Sequence, residues 1–300
     1  MSAAAKKKRR KGLIILTVIF AFIAGLLFLA YSGNTHLTKS RYNISSSNLP
    51  KSFDGFRILQ ISDLHDKEFG EKNSRLLKSI KKENPDIIVA TGDIVNSTDT
   101  PEGFASSVSF MTEIASDYDV YYVDGNHETA MDNINSEYYE NWIAAIKDSG
   151  VIVLDNESTQ IKKHGETINI HGLWFNGRYY NNMGDENAEK YYLELEHVEK
   201  LIGSSSDGFD ILLTHNPIYF DVYEKWGAEL ILTGHMHGGV IRIPFKGGLI
   251  SPERVYWPEY DAGEFQKNAS VMIVNRGLGN AGSGYRFLNW PDISVITLSS

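Results

Sequence analysis

Apolar runs and amphipathic stretches alternate along most of this chain. Runs of three to six apolar residues, bounded by turn-forming residues, predict buried strands, and the amphipathic stretches between them predict helices. The predicted strands are residues 58–61, 87–90, 120–123, 168–173, 211–213, 230–232, 271–274 and 293–298. The predicted helices are residues 71–83, 103–115, 137–149 and 189–202. Strands interleaved with helices predict an α/β sandwich.

The N-terminus has a different pattern. Residues 13–31 carry no charge, and at about 1.5 Å per residue they reach roughly the hydrocarbon thickness of a bilayer. Six cations precede this stretch, between Lys6 and Lys11, which predicts a cytoplasmic N-terminus and an extracytoplasmic body. A cleaved signal peptide is the alternative, because residues 30–32 resemble a small-residue cleavage site. The long apolar core favours a retained anchor.

We therefore predict four regions. They are a basic cytoplasmic segment at residues 1–12, a transmembrane anchor at 13–31, a Ser- and Asn-rich linker at 32–52 and a globular domain at 53–300. The predicted localisation is the cell membrane, with a single pass and an outward-facing domain. The sequence indicates no oligomeric state.

Charge and cysteine content narrow the chemistry. The net charge is −9, and because the N-terminal run contributes +6, the remaining chain carries −15. Long nucleic acids bind proteins through basic surfaces, so no nucleic-acid partner is expected. The chain contains no cysteine, which excludes disulfides, thiolate nucleophiles and cysteine-ligated metal sites.

Polar motifs follow five of the predicted strands. Carboxyl ends of strands in α/β folds face one crevice, so we expect the side chains of these motifs to converge. Each motif alone is ordinary turn chemistry, and it is their conjunction that predicts a site. The candidate ligands are Asp63, His65, Asp93, Asn126, His215, His235 and His237.

Carboxylate, amide and imidazole groups together are typical ligands of Mn, Fe and Zn. Seven side chains exceed the needs of one tetrahedral ion and suit two divalent ions about 3.5–4 Å apart. Such a pair lowers the pKa of a bound water and neutralises phosphoryl oxygens. The sequence thus predicts hydrolysis of phosphate esters or pyrophosphates by a metal-bound hydroxide, with two divalent metal ions as cofactors.

The motif order D-x-H, G-D, G-N-H-E, a lone His and G-H-x-H resembles the calcineurin-like metallophosphoesterase superfamily. The resemblance runs from about Arg57 to the C-terminus, and the region from Gly234 to Gly279 further resembles its bacterial membrane-associated, YkuE-like branch. This resemblance implies a four-layer α/β/β/α sandwich with two mixed sheets. It implies one ion on Asp63, His65, Asp93 and His237, and a second on Asp93, Asn126, His215 and His235. It also implies that His127 is the catalytic histidine.

One position departs from the family pattern. Many relatives carry an Asp three residues after the G-D aspartate, where it orients the catalytic histidine, whereas this chain has Asn96. The amide of Asn96 could accept a hydrogen bond from His127, and Glu128 is an alternative orienting group. Arg276 is a candidate phosphate clamp, but it could equally pair with a structural carboxylate.

The substrate is predicted only by class. An anchored domain reaches the membrane surface, so a phosphorylated small molecule or a lipid headgroup is expected, such as a lipid-linked or nucleotide-sugar phosphate. A broad-specificity phosphomonoesterase or phosphodiesterase acting on soluble substrates is one alternative. A non-catalytic scaffold is another, but it would be free to lose ligands, and this chain has the complete set.

Overall fold

The N-terminal helix continues almost directly into the globular domain. The computed structural model describes residues 3–98, 100–180, 192–280 and 284–300. Helix α1 (Ala3–Thr35) is long and apolar enough to cross a bilayer, and strand β1 (Thr38–Ser45) begins two residues after it ends. The predicted linker at 32–52 therefore contains an ordered strand. The sequence of β1 is mixed and polar and contains no apolar run, so the residue pattern did not predict this strand.

The other elements alternate as the sequence predicted. The helices are α2 (Ser74–Glu83), α3 (Pro101–Ala115), α4 (Asn126–Ile134), α5 (Ser136–Asp148), α6 (Leu195–Ile202) and α7 (Phe220–Trp226). The strands are β2 (Arg57–Ile61), β3 (Ile87–Thr91), β4 (Asp119–Val123), β5 (Ile152–Val153), β6 (Ser158–Lys163), β7 (Glu166–Leu173), β8 (Asp210–Thr214), β9 (Leu230–Thr233), β10 (Arg242–Ile243), β11 (Gly247–Gly248), β12 (Gly263–Lys267), β13 (Ser270–Val274) and β14 (Asp292–Ser299).

All eight predicted strands lie within observed strands. The predicted helix at 189–202 corresponds to α6, and its first three residues lie outside the described part of the chain. The short or half-exposed strands β1, β5, β6 and β10–β12 were not predicted. Helices α4 and α7 were also missed, because each follows a polar motif that had been interpreted as a turn.

Two mixed six-stranded sheets form the centre of the domain. The first has the order β1-β14-β2-β3-β4-β5, and the second has the order β12-β13-β9-β8-β7-β6. In the first sheet β2 to β5 are parallel, and in the second β7, β8, β9 and β13 are parallel. Strands β10 and β11 form a separate antiparallel hairpin.

Three hydrophobic layers hold the sheets and helices together. Residues such as Ile58, Val89 and Ile211 form the layer between the two sheets. Helices α2 to α5 cover the outer face of the first sheet around Trp142, and α6 and α7 cover the second around Trp226. Strands covered on both faces need continuous apolar runs, which explains why the central strands could be predicted from the sequence. The four-layer α/β/β/α prediction is confirmed.

Strands β2, β3, β4, β8 and β9 all end at one edge of the two sheets, which we call the catalytic edge. Strand β14 is antiparallel to β2, and β1 is parallel to β14. Strand β1 therefore begins at the edge where β2 ends, and it runs to the opposite edge. Because helix α1 leads into β1, this helix meets the domain at the catalytic edge.

Candidate metal centre

The turns after the strands place most of the predicted ligands in left-handed backbone conformations. Such conformations are uncommon for residues other than glycine, and they concentrate at functional sites. Backbone bonds hold the turns: Asp63 N donates to the Gly92 carbonyl (3.0 Å) and His65 N to the Asp93 carbonyl (3.1 Å). The left-handed candidates are Asp63, His65, Asp93, His235 and His237, with φ between 48° and 68°.

One group of four side chains converges at the catalytic edge. Asp63, His65, Asp93 and His237 each offer a ligand atom within 4.8 Å of the others. The Nε2 atoms of His65 and His237 lie 3.1 Å apart, and His237 Nε2 is 3.2 Å from Asp63 Oδ1. Two ring nitrogens and a carboxylate oxygen that face each other at this distance form a donor set for a divalent cation.

Asp93, His215 and His235 form a second group, whose ligand atoms also lie within 4.8 Å of one another. The His215 Nδ1–H donates to the Thr91 carbonyl (2.6 Å), because a carbonyl oxygen can only accept. In the neutral ring the lone pair of His215 is therefore on Nε2, which lies 3.2 Å from Asp93 Oδ2. A backbone carbonyl that fixes the histidine tautomer in this way is typical of metal-ligating histidines.

Unpartnered polar atoms test whether this cleft suits metal ions. Within the described residues, His215 Nε2 and Asn126 Oδ1 are buried without a hydrogen-bond partner. Buried polar atoms in native proteins are nearly always paired, so the lone pairs of Asn126 Oδ1, and that of His215 Nε2 in the neutral ring, suit a bound cation. The donor set fits divalent cations. The structure brings all seven predicted ligands to one place.

Burial and neighbouring charges set the protonation states around the cleft. Burial lowers the pKa of His65 to about 3 and that of His237 well below its usual value, so both imidazoles are neutral. Burial also raises the pKa of Asp63. For His215, burial alone would lower the pKa, but the Asp93 and Asp63 carboxylates outweigh it and raise the pKa to about 10.

Glu128 supports two of the metal motifs from behind. Its Oε2 accepts the backbone N–H groups of Gly125 and Asp93 (both 2.9 Å), and its Oε1 accepts those of Ile94 (2.8 Å) and Val95 (3.3 Å). Burial raises the pKa of Glu128 to about 7, although these N–H donors favour the anion. Glu128 thus joins the Asp93 turn to the start of α4. The bonds seen here do not give it the histidine-orienting role considered from the sequence.

His127 lines the cleft, with its ring centroid 4.6 Å from that of His65. Its Nδ1 accepts the backbone N–H of Ser97 (3.3 Å), so in the neutral ring the proton is on Nε2. The Asn96 amide donates to the His65 carbonyl (3.2 Å) and to Asp66 Oδ2 (2.6 Å). The backbone N–H of Ser97 therefore contacts the Nδ1 atom of His127.

Two arginines beneath the cleft have different surroundings. Arg276, the predicted phosphate clamp, forms an ion pair with the buried Asp292 (3.0 Å) and a hydrogen bond with Thr38 Oγ1 (3.1 Å). This is the structural pairing that the sequence left as the alternative. Arg286, which the sequence analysis missed, is fully buried and places Nη2 3.2 Å from His237 Nδ1.

Three further residues of the cleft were missed because they lie far from the motifs or carry no motif of their own. Glu253 Oε1 lies 2.7 Å from His235 Nε2, and its Oε2 is buried without a partner among the described residues. Asn280 lines the cleft, and its Oδ1 accepts a hydrogen bond from Lys67 Nζ (3.1 Å). The structure records no carboxylate partner for Lys67 within the described ranges.

Comparison with known families identifies the sequence pattern. Residues 56–239 match the family described as Calcineurin-like phosphoesterase. The uncharacterized metallophosphoesterase YkuE of Bacillus subtilis is 30% identical over 265 residues, which cover 87% of this chain and 85% of that protein. This match includes the N-terminal part of the motif series as well as the C-terminal region.

Two relatives with more specific names are also similar. The UDP-2,3-diacylglucosamine pyrophosphatase LpxG of Chlamydia trachomatis is 26% identical, over 83% of this chain and 86% of that protein. The phosphodiesterase YaeI of Escherichia coli is 24% identical, over 81% of this chain and 82% of that protein.

Proposed function

We propose a substrate class for this chain and the side of the membrane on which it acts. The chain belongs to the calcineurin-like phosphoesterase family and is a metal-dependent phosphoester hydrolase. The proposed reaction is the hydrolysis of phosphate esters or pyrophosphates at the outer face of the membrane. Lipid-linked or nucleotide-sugar phosphates are the proposed substrates. The observation that carries the proposal is the convergence of seven donor side chains on one cleft, several of them buried without a partner.

Two divalent cations would be held by these donors. The first would bind to Asp63, His65, Asp93 and His237, and the second to Asp93, Asn126, His215 and His235, so that Asp93 is shared. Mn, Fe or Zn suits this mixture of ligands. When bound, such a pair supplies the Lewis acidity that activates water and neutralises phosphoryl charge. The Glu253 carboxylate accepts the His235 Nε2–H, which leaves Nδ1 as the nitrogen with a lone pair.

His127 is proposed as the catalytic proton donor. The Ser97 N–H occupies Nδ1, so Nε2 of the neutral ring carries a proton that can be donated to the leaving oxygen. His127 lines the cleft but belongs to neither of the two groups of converging ligand atoms. Its loss should therefore reduce turnover without releasing metal.

Lys67 and Asn280 are proposed to bind the non-reacting part of a phosphorylated substrate. Asn280 lines the cleft, and Lys67 lies behind it with a partly buried ammonium group 5.2 Å from the Phe69 ring centroid. Burial, together with the nearby Arg286, lowers the pKa of Lys67 to about 7, and an anionic ligand beside it would favour the charged ammonium form. A lysine acts on phosphate as a point charge, so this contact suits esters and pyrophosphates alike.

The outward orientation is supported by the basic run before the apolar helix. The absence of cysteine offers a direct test, because Ser47→Cys introduces a single thiol at an exposed position of the globular domain. In intact bacterial cells, a membrane-impermeant maleimide should label this thiol. Labelling that requires permeabilised cells would place the domain on the cytoplasmic side and refute the orientation.

Activity and metal content of the full-length protein in detergent test the reaction. The protein should contain two transition-metal ions per chain and hydrolyse p-nitrophenyl phosphate, bis(p-nitrophenyl) phosphate, UDP-glucose or a lipid-linked pyrophosphate. His127→Ala should lower kcat at unchanged metal content, and His215→Ala should lower both. His164→Ala, at an exposed histidine on the β6–β7 turn, is the matched control and should change neither.

The substrate panel separates the alternatives. Preference for the lipid-linked or nucleotide-sugar substrate supports the proposal, and equal rates on all soluble esters would favour a broad-specificity enzyme. A chain that holds no metal and remains inactive after reconstitution with Mn or Zn would instead be a scaffold.

A further inference from the structure

A group of exposed aromatic side chains stands beside the metal cleft. Most large aromatics of this domain are buried, yet Phe245 is fully exposed and Tyr256, Trp257 and Tyr285 are 67%, 49% and 72% exposed. We call these four residues the aromatic rim. Exposed aromatic clusters of this kind mark interaction surfaces rather than ordinary solvent-facing surface.

Short connections along the chain join the aromatic rim to the cleft. Phe245 is in the turn of the β10–β11 hairpin, which follows the ligand His237 by a few residues. Tyr256 and Trp257 follow Pro252, which lines the cleft, and Glu253, which contacts His235. The segments that carry the aromatic rim therefore also carry residues that line the cleft or contact its ligands.

The N-terminal helix meets the domain beside the same rim. Along α1 the side chains are exposed up to Phe28, and contact with the domain begins at Leu29. A Cβ on Gly33 would lie 2.6 Å from the Arg286 carbonyl oxygen, so the helix backbone is packed against that residue. The next residue, Phe287, bridges to Ile241 at the base of the β10–β11 hairpin. At about 1.5 Å of rise per residue, Gly33 lies roughly 6 Å beyond Leu29 along the helix.

One arginine joins the helix to the metal centre. Arg286 contacts Gly33 through its backbone and His237 through its guanidinium group. The segment that carries it also includes Tyr285 of the aromatic rim and Trp290, which lines a groove with Phe28 and Tyr31 of the helix. The membrane-proximal end of the helix, the aromatic rim and a metal ligand are thus connected through a few residues.

The rim region is less acidic than the rest of the chain. Residues 242–261 carry three cations (Arg242, Lys246, Arg254) and three carboxylates (Glu253, Glu259, Asp261), while the chain after its N-terminal basic run carries −15. Arg242 pairs with Asp261 (3.0 Å). Lys246 Nζ lies 5.7 Å from the Trp257 ring centroid. Aromatic and basic side chains together favour the headgroup region of a bilayer, especially one with anionic lipids.

We propose that the aromatic rim rests in the headgroup layer of the membrane that α1 spans, so that the metal centre opens toward lipid headgroups. The partner is a phospholipid surface. The proposal rests on the anchoring of α1 and extends the proposed function by restricting the substrate to phosphates presented at the membrane. It does not depend on hydrolysis, so its test can fail or succeed separately.

Site-specific fluorescence tests this placement. Because the chain lacks cysteine, Phe245→Cys and Tyr256→Cys each provide one site for an environment-sensitive NBD label in the full-length protein. Ser47→Cys is the matched control, since it follows the end of β1 at the opposite edge of the first sheet. The eight residues of β1 separate these edges by about 25 Å.

The proteins are compared in phosphatidylglycerol–phosphatidylethanolamine vesicles that contain a lipid-attached quencher. The labels at 245 and 256 should show blue-shifted emission and strong quenching, whereas the label at 47 should remain in water. Emission at 245 and 256 that matches the control would overturn the proposal. A shift that disappears on dilution of protein into more lipid would also overturn it, because the rim would then contact a second protein molecule.

Discussion

Replacement of Glu128 by Gln tests how the metal motifs are held in place. Both carboxylate oxygens accept two backbone N–H groups, from Gly125 and Asp93 on one side and from Ile94 and Val95 on the other. A glutamine amide replaces one of these oxygens by an NH₂ group. In either orientation of the glutamine amide, its NH₂ group faces two buried backbone N–H donors, which then have no acceptor.

The expected cost follows from the number of unsatisfied donors. Each buried donor without a partner costs about 1–3 kcal/mol, so Glu128→Gln should destabilise the domain by about 3 kcal/mol. For a domain of this size that corresponds to a fall in Tm of roughly 6–12 °C. The Asp93 turn and the start of α4 carry Asp93 and Asn126, so metal content should also fall.

Thermal unfolding of the detergent-solubilised protein and metal content per chain provide the assay. Glu113→Gln, which removes a carboxylate from the exposed face of α3, is the matched control and should lower Tm only slightly. If Glu128→Gln unfolds within about 2 °C of the unsubstituted chain and keeps its metal, the four bonds do not hold these motifs and the reasoning is wrong.

Three further predictions concern the surroundings of the site. Arg276→Ala should lower stability by about 3 kcal/mol, because it leaves the buried Asp292 carboxylate with the Thr38 hydroxyl but without its cation, and should change KM less than twofold. A raised KM at unchanged Tm would instead identify a phosphate clamp. Lys67→Ala should raise KM for p-nitrophenyl phosphate about tenfold, a loss typical of one charged contact, while the exposed Lys72→Ala should leave it unchanged; equal KM values for the two variants would exclude Lys67 from the substrate site. Burial would raise the pKa of Glu83, but hydrogen bonds from Lys39 and Arg41 outweigh it and lower the pKa below 4.5. The stability that Glu83 contributes is therefore present above pH 4.5 and lost as pH falls through the folded-state pKa, so acid titration of Tm should be shallower for Glu83→Gln, and identical titrations would contradict this assignment.

The positions of the buried strands and the metal ligands were accessible from the sequence because their signals are local. Strands covered on both faces appear as apolar runs, and each ligand follows such a run within a few residues, as Asp63 and His65 follow Ile61. The motif order then matched a known family pattern. The long apolar helix was visible for the same reason, since a long uncharged stretch depends on no distant partner.

The tertiary structure decided what depends on contacts between distant residues. Strand β1 exists because Tyr42 and Ile44 pair with β14, some 250 positions away, and nothing in its own pattern marks it as a strand. Glu253, Arg286 and Asn280 join the site only because loops far apart in the chain meet at one sheet edge. The sequence alone determined which chemistry the chain carries. The tertiary structure decided where the apolar helix meets the domain: β1 pairs parallel with β14, and β14 pairs antiparallel with β2, so the helix reaches the catalytic edge. Pairing direction is set by packing of the whole sheet, and no local pattern of residues encodes it.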